Sequence, residues 1–466
     1  MTREKILNLL YDRYIRPTEN KKDSFIGVEI EMPIINLNNK AVDFEVVHKL
    51  TAAFLNKFNF TATGFDEEGH IYSAVNKENG DVFSYDCSYN NMEFSFGREK
   101  NLNTVYERFL RYYGFVQELF EPYNYTLTGM GINPNRKLNK NIPIENGRYK
   151  MLFHHLSSFH KYFYIPMFFH RYPQFGMFSS ASQVQLDVTR DRLPETIRVF
   201  NTLEPIKALL FSNSVLLGED EELLCCRDML WENSTHGINP HNVGMYDCEI
   251  NSVEDLLGYI STTSIYCVER NGKYLNFEPV NIVEYFSKDS ITGEYMENGE
   301  RRCMSFTPEA EDVAYLRTFK FEDLTFRGTI EFRSACCQPI SDVMTVAAFH
   351  LGLMNKTAEL SALIDYDTSI YHNGYTAVEL RKLLNRRELP AFIDKDGLYS
   401  LALNVLDLCR DGLKERNLGE EVFLKPLYER IEKRTNPAKS MLNSLKNGGS
   451  IEEIIKRYSN IKKEII

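Results

Sequence analysis

Two carboxylates stand two residues apart in Phe25-Ile-Gly-Val-Glu-Ile-Glu-Met-Pro33, a run that is otherwise apolar. On a β-strand residues i and i+2 share a face, so Glu29 and Glu31 project together while Ile26, Val28 and Ile30 project to the other side. Neighbouring anions repel and resist burial unless a cation lies between them. A strand with one wet face carries the same pattern, so the other acidic and amide runs must decide.

Three such runs exist. Asp86 and Glu93 flank Asn90-Asn91, a pair that tolerates the positive φ of a tight hairpin turn, so each arm would present one carboxylate. Taken alone, Asp86 reads first as a turn residue. In Ser182-Gln-Val-Gln-Leu-Asp-Val188 the polar residues Gln183, Gln185 and Asp187 alternate with Val184, Leu186 and Val188. Side-chain amides on a site face could hold the carboxylate or ammonium of an amino acid, and an exposed edge strand would show the same alternation. In Phe326-Arg-Gly-Thr-Ile-Glu-Phe-Arg-Ser334, Glu331 and Arg333 share a face. Such a pair is usually a structural ion pair. Beside a metal, however, the Glu can ligate while the Arg grips a transferring phosphoryl group. Arg227, four residues before the single tryptophan, Trp231, is a further cation candidate whose plain reading is packing. Oxygen-only ligation of this kind suits Mg²⁺, or Mn²⁺, rather than zinc.

Other signals are weaker. No G-x-x-x-x-G-K-[ST] loop occurs, so a nucleotide would not lie in a Walker-type cradle. Gly129 and Gly131 fall short of a dinucleotide fingerprint. His154, His155 and His160 lack H-E-x-x-H spacing, and no Ser/His/Asp or Cys/His signature is visible. A net charge of -11 argues against nucleic-acid and anionic-membrane partners. The nine cysteines include the pairs Cys225-Cys226 and Cys336-Cys337 but no C-x-x-C. With charged residues after Met1 and no long apolar run, the expectation is a cytoplasmic protein with reduced thiols.

The elements that must position these residues alternate along the chain. Strand-like runs cover 25–35, 81–97, 181–188, 263–277 and 325–334, with helical segments at 42–58, 101–120, 195–216 and 340–364. From about residue 374 the pattern is wholly helical: 376–384, 396–416, 420–434, 437–446 and 450–464. The expected architecture is one α+β body, 1–373, built on an antiparallel sheet with one site-bearing face, and a helical part, 374–466, packed on it. Asn133–Gly147 and Phe286–Arg302 read as surface loops, the second as a hairpin or lid.

The ordered set resembles the glutamate–cysteine ligase family, its plant and proteobacterial branch, among the glutamine-synthetase-like ligases. The resemblance rests on Gly27-Val-Glu-x-Glu31, Gly147-Arg-Tyr-Lys150, Gln183-Val-Gln-Leu-Asp187, Arg227-x-x-x-Trp231, Thr318-x-x-x-Glu322 and Glu331-x-Arg333. It continues through Gly412-Leu-x-x-Arg416, Phe423-Leu-x-Pro-Leu427 and Thr435-x-Pro-Ala438. It implies a funnel-like antiparallel sheet flanked by helices, with the active site on its concave face. It also implies attack of the glutamate γ-carboxylate on ATP and capture of the γ-glutamyl phosphate by an amine, normally that of cysteine. By position, Glu29, Glu31, Glu93 and Glu331 would be metal ligands, with Asp86 a further one, and Arg333 the phosphoryl clamp. Gln183, Gln185 and Arg227 would serve the glutamate or nucleotide subsites. One departure stands out: where plant-type members carry a Gly-rich E-P-G-G-Q-x-E-L-S, this chain has Asp86-Cys-Ser-Tyr-Asn-Asn-Met-Glu-Phe-Ser95. That loop bears on which amine is the acceptor.

Overall fold

The computed structural model describes residues 1–21, 24–297 and 300–461. Its strands are β1 (Ile26–Asn36), β2 (Phe60–Phe65), β3 (Ile71–Asn76), β4 (Val82–Tyr85), β5 (Asn91–Glu99), β6 (Tyr125–Leu127) and β7 (Ser182–Asp187). They continue with β8 (Val243–Gly244), β9 (Ser264–Arg270), β10 (Lys273–Asn281), β11 (Ile291–Glu297), β12 (Glu300–Phe306), β13 (Phe319–Lys320), β14 (Glu322–Leu324) and β15 (Thr329–Phe332).

β1 is the spine. Its first half pairs with β5 on one side and β7 on the other, and its last residues pair with β6. The main sheet runs β14-β15-β7-β1-β5-β4-β3-β2, every pair antiparallel. Polar–apolar alternation sorts this sheet into two faces. One carries Val28, Ile30, Phe83, Phe94, Val184, Leu186 and Phe332, all buried. Helices cover it: Phe54 of helix Phe44–Phe58 stacks on Phe83, and Phe332 packs against Phe200 of helix Leu193–Phe211 and His350 of helix Thr345–Met354. Burial of side chains this size, roughly 2–3 kcal/mol each, fixes which face turns inward. The opposite face is left to the acids and amides. A second sheet, β12-β11-β10-β9, and the short parallel pair β13-β8 flank it.

The run expected at 81–97 is two strands, β4 and β5, joined by a loop over 86–90. Its reversal includes a Ser88–Asn91 turn, closed by the Asn91 N–H donating to the Ser88 carbonyl at 3.1 Å, but neither Asn90 nor Asn91 has a positive φ. Cys87 takes the positive φ, 57°, in a three-residue turn closed by the Ser88 N–H donating to the Asp86 carbonyl at 2.6 Å. Within the turn Asn90 is also a tie, its amide donating to the Lys140 carbonyl at 2.8 Å, and Asn91 opens β5. The run at 263–277 is also a hairpin, turning at Asn271-Gly272, both at positive φ. The helix expected at 195–216 ends at Phe211, and 340–364 is interrupted after Met354. Gly129 and Gly131 are packing glycines: a Cβ on Gly129 would lie 2.0 Å from the Gln338 carbonyl oxygen.

The segment 133–147 has no helix or strand before Gly147, yet it is not a free surface loop. Its Ile144 N–H donates to the Cys87 carbonyl at 2.9 Å, so it buttresses the 86–90 loop. Phe286–Arg302 contributes the β11–β12 hairpin; residues 298–299 lie outside those described. In the C-terminal part, helix Lys395–Arg416 crosses helix Thr345–Met354 at glycines, since a Cβ on Gly412 would meet the Gly352 carbonyl at 2.0 Å. Glu420 accepts the Leu102 N–H at 2.8 Å, and the last helix spans Ile451–Ser459, with 462–464 again outside the described residues. No described helix is long and apolar enough to cross a membrane.

Candidate active site

Register brings the four acidic and amide runs onto one face. Glu31 lies opposite Glu93, Glu29 opposite Gln183, and Glu331 opposite Gln185 on one side and Asp323 on the other. The two glutamines act as amide ties between the acids. Gln183 donates to Glu31 at 2.7 Å, and the Ala181 N–H donates to the second oxygen of Glu31 at 2.7 Å. The Gln185 amide donates to both Glu29 and Glu331, each at 2.9 Å, which links two strands that are not neighbours. Arg333 donates to Glu331 at 2.5 Å, and its guanidinium lies over the Phe319 ring.

Burial sets the electrostatics. Burial and then the charge of Asp86 and Glu93 push the Glu31 carboxyl up to about 8. Burial and Asp86 push Glu93 up to about 7. Burial and then Glu331 and Glu93 hold Glu29 well above the ordinary carboxylate value, and burial raises Asp86. Burial also lifts Asp323 to about 6, although Arg333 pulls it down. Burial works against the charge on Arg333, but Glu331, Asp323 and Glu29 outweigh it and keep the guanidinium protonated. The face therefore carries more acid than its cations can balance. An all-oxygen donor set that would shed protons to a cation fits a hard divalent ion.

A cavity of about 340 Å³ opens on this face. Glu31, Asp86, Gln183, Glu331 and Arg333 line it from the sheet, and Arg227 and Trp231 line it from helix Cys226–Glu232. Arg227 donates to the Ala335 carbonyl at 3.1 Å, while its Nε has no partner. Glu29, Glu93 and Gln185 lie on the same face beside the lining. Sequence reasoning missed Arg148, Arg317 and Asp323, all of which line the cavity. The signal for Arg148 was present in Gly147-Arg-Tyr-Lys150, and Arg317 precedes Thr318-x-x-x-Glu322. None of the described residues of 286–302 lines the cavity.

Residues 25–459 match the family model described as Glutamate-cysteine ligase family 2 (GCS2). Among curated relatives, the chain is 24% identical over 268 residues to a chloroplastic glutamate–cysteine ligase of Brassica juncea, covering 56% of this chain and 48% of that one. It is 27% identical over 274 residues to glutamate–cysteine ligase A, chloroplastic, of Oryza sativa subsp. indica, covering 56% and 51%. The match to the chloroplastic enzyme of Nicotiana tabacum is 24% over 347 residues, covering 70% and 59%. The chain thus spans about half the length of the curated relatives it matches. Among solved structures, a glutamate–cysteine ligase of Francisella tularensis in complex with AMP is similar in fold, with a TM-score of 0.50 and 13% identity over 96% of this chain and 91% of that one. An α+β chain with a large antiparallel sheet, a helical C-terminal part and a match running from the first acidic strand to the last described helix belongs to glutamate-cysteine ligase family 2.

Proposed function

We propose that the chain is an ATP-dependent carboxylate–amine ligase. It would join the γ-carboxylate of L-glutamate to the amine of L-cysteine through a γ-glutamyl phosphate, giving γ-glutamylcysteine, ADP and phosphate. The observation that carries this reading is the pairing, in one cavity, of an overcrowded acid face with the guanidinium of Arg333. A carboxylate approaching a triphosphate is an anion approaching an anion, and the reaction needs both a cation and a planar donor fork.

Glu29, Glu31, Glu93 and Glu331, with Asp86, would hold Mg²⁺ or Mn²⁺. When bound, the ion would neutralise triphosphate charge and orient the γ-phosphoryl group. Arg333, steered by Glu331, would grip the phosphoryl oxygens. Gln183 spends its amide N–H on Glu31 and keeps a buried oxygen without a partner, which suits an amino-acid ammonium. Gln185, by contrast, would act by positioning Glu29 and Glu331.

A second reading shares the mechanism but takes a different amine. It is favoured by the 86–90 loop, where Asp86 and Cys87 line the cavity in place of a glycine-rich turn. An ATP-consumption assay with glutamate and a panel of amines, products identified by mass, separates the two. A cysteine ligase consumes ATP in response to cysteine and, more weakly, 2-aminobutyrate, because a small apolar-to-polar difference supplies only about 1–3 kcal/mol. Strong stimulation by an unrelated amine, with none by cysteine, selects the second reading.

A further inference from the structure

A second group of ligand atoms lies away from the cavity, between helix Phe44–Phe58 and the β2–β3 connection. Glu45 and His48 are three residues apart on the helix and so share a face. His70 comes from the turn before β3. The rings of His48 and His70 stack, centroids 3.8 Å apart and planes 18° apart. One ligand atom from each of Glu45, His48 and His70 lies within 4.8 Å of the others, the one such trio of His, Cys, Asp or Glu among the described residues.

Three features distinguish this trio from a chance stack. Neither ring nitrogen of His48 has a hydrogen-bond partner, although both are covered. Covered polar atoms are nearly always satisfied, so two on one ring call for an explanation. His70 is oriented from behind: its Nδ1 faces the Asp66 carboxylate at 3.3 Å, which leaves Nε2 for a ligand. That carboxylate–imidazole relay is what a metal-binding histidine requires. Asp66 is itself fixed, accepting the His70 N–H at 2.7 Å, the Glu68 N–H at 3.0 Å and the Tyr89 hydroxyl at 2.8 Å.

We propose that Glu45, His48 and His70 bind a divalent transition metal of the zinc class, as a two-histidine, one-carboxylate site with an open fourth position. Imidazole nitrogens select such metals, whereas the oxygen-only cavity favours Mg²⁺, so the two sites take different ions from one mixture. Donors on tetrahedral zinc, bonded at about 2.0–2.2 Å, stand roughly 3.3 Å apart, which side-chain adjustment reaches from the observed spacing. The site is joined to the 86–90 loop through Asp66 and Tyr89, whose ring meets His48 edge-on at 4.5 Å. Its role is to brace that loop. This inference does not depend on which reaction the cavity performs.

The test is titration of the full chain with Co²⁺ in excess Mg²⁺, read by visible absorption, with Zn²⁺ displacing the signal. The expected result is one equivalent bound with the strong bands of low-coordinate Co²⁺. Affinity falls by about 10- to 100-fold in Asp66→Asn, the usual effect of removing an orienting partner. The bands are lost in His48→Gln and His70→Gln and retained in Glu29→Gln. Should His70→Gln not fold, the exposed Glu45→Gln, which cannot disturb the core, must still weaken binding. Stoichiometric binding that persists in folded His48→Gln and Glu45→Gln would place the metal elsewhere, and no stoichiometric binding by the native chain would overturn the site outright.

Discussion

Two clusters of buried charge, one centred behind the sheet and reaching the cavity at Asp228, the other on its front face, hold their acids differently. Behind the sheet, Glu204 is held by Lys207 and by Arg381, which also grips Asp228 through two nitrogens at 2.8 and 3.0 Å. Burial pushes the Glu204 carboxyl up, yet Lys207 and Arg381 win and bring it down to about 2, while Glu322, which shares Lys207 but pairs with no other cation among the described residues, is held well above the ordinary value by burial. In front, Glu31 is buried, Glu29, Glu93 and Asp86 are half-buried, and all four are pushed up. Their partners are mostly amides, which orient a carboxylate without neutralising it. Burial alone therefore does not distinguish structure from function. The distinguishing feature is whether the chain supplies its own counter-ions.

The comparison can be broken most forcefully at its structural end. Arg381→Met leaves Glu204 and Asp228 short of a cation in the core, and unfolding free energy should fall by about 3–5 kcal/mol in urea titration. A native-like midpoint would mean the rear cluster is not held by these pairs. At the front the same kind of change should do the reverse. Glu29→Gln still accepts from Gln185, relieves repulsion, and should leave the metal-free melting temperature unchanged or higher. Turnover should drop by about 10²-fold or more, because phosphate charge is left uncompensated. If lost activity merely tracked lost folding, the two clusters would be alike.

Arg333→Lys sharpens the contrast further. It keeps the charge but loses the two-pronged donor, so kcat should fall roughly tenfold or more, with a smaller rise in KM for ATP. A change confined to KM for the amine would move Arg333 out of phosphoryl contact. The smallest effect is on pH dependence. Native Glu31 and Glu93 keep protons up to about 8 and about 7, while in the unfolded chain they lose them near the ordinary 4.5. The native state then binds more protons over that window, so metal-free stability falls as pH rises from about 5 to 8. Calorimetry should show a melting temperature lower by roughly 2–4 °C at the upper end, restored by Mg²⁺ more at pH 8 than at pH 5. Glu204 has the opposite slope: its contribution is present above 4.5 and is lost as pH falls towards 2.

The acid face was legible because strand periodicity is local: Glu29 and Glu31, Gln183 and Gln185, and Glu331 and Arg333 announce themselves at i and i+2. What joins them is not local. Only strand order shows that Gln185 sits between Glu29 and Glu331 and that its amide ties the two together. The Asn271-Gly272 turn carried a clear hairpin signature inside what reads as one strand. β2 and β3 gave little signal, since Phe60–Phe65 contains Gly64 and two threonines and alternates weakly. His70 went unremarked with them, because its partner His48 lies on a helix 22 positions earlier and neither has a motif alone.

The buttressing of the 86–90 loop by the Asn133–Gly147 segment has its own consequence. Ile144 holds the backbone of a turn that reaches the cavity and Lys140 holds its Asn90 side chain, while Asn133 and Asn135 of the same segment donate to the Ile34 and Asn36 carbonyls of β1 at 3.2 and 3.3 Å. Heritable change around Lys140–Ile144 would shift Asp86 and Cys87 together, whereas change at Asn133 or Asn135 would reach β1 itself. If the turn sets the acceptor, as proposed, descendants of this chain can retune it from outside the cavity through Lys140–Ile144, and a graft aimed at new acceptors should exchange the turn and its prop together while keeping Asp86.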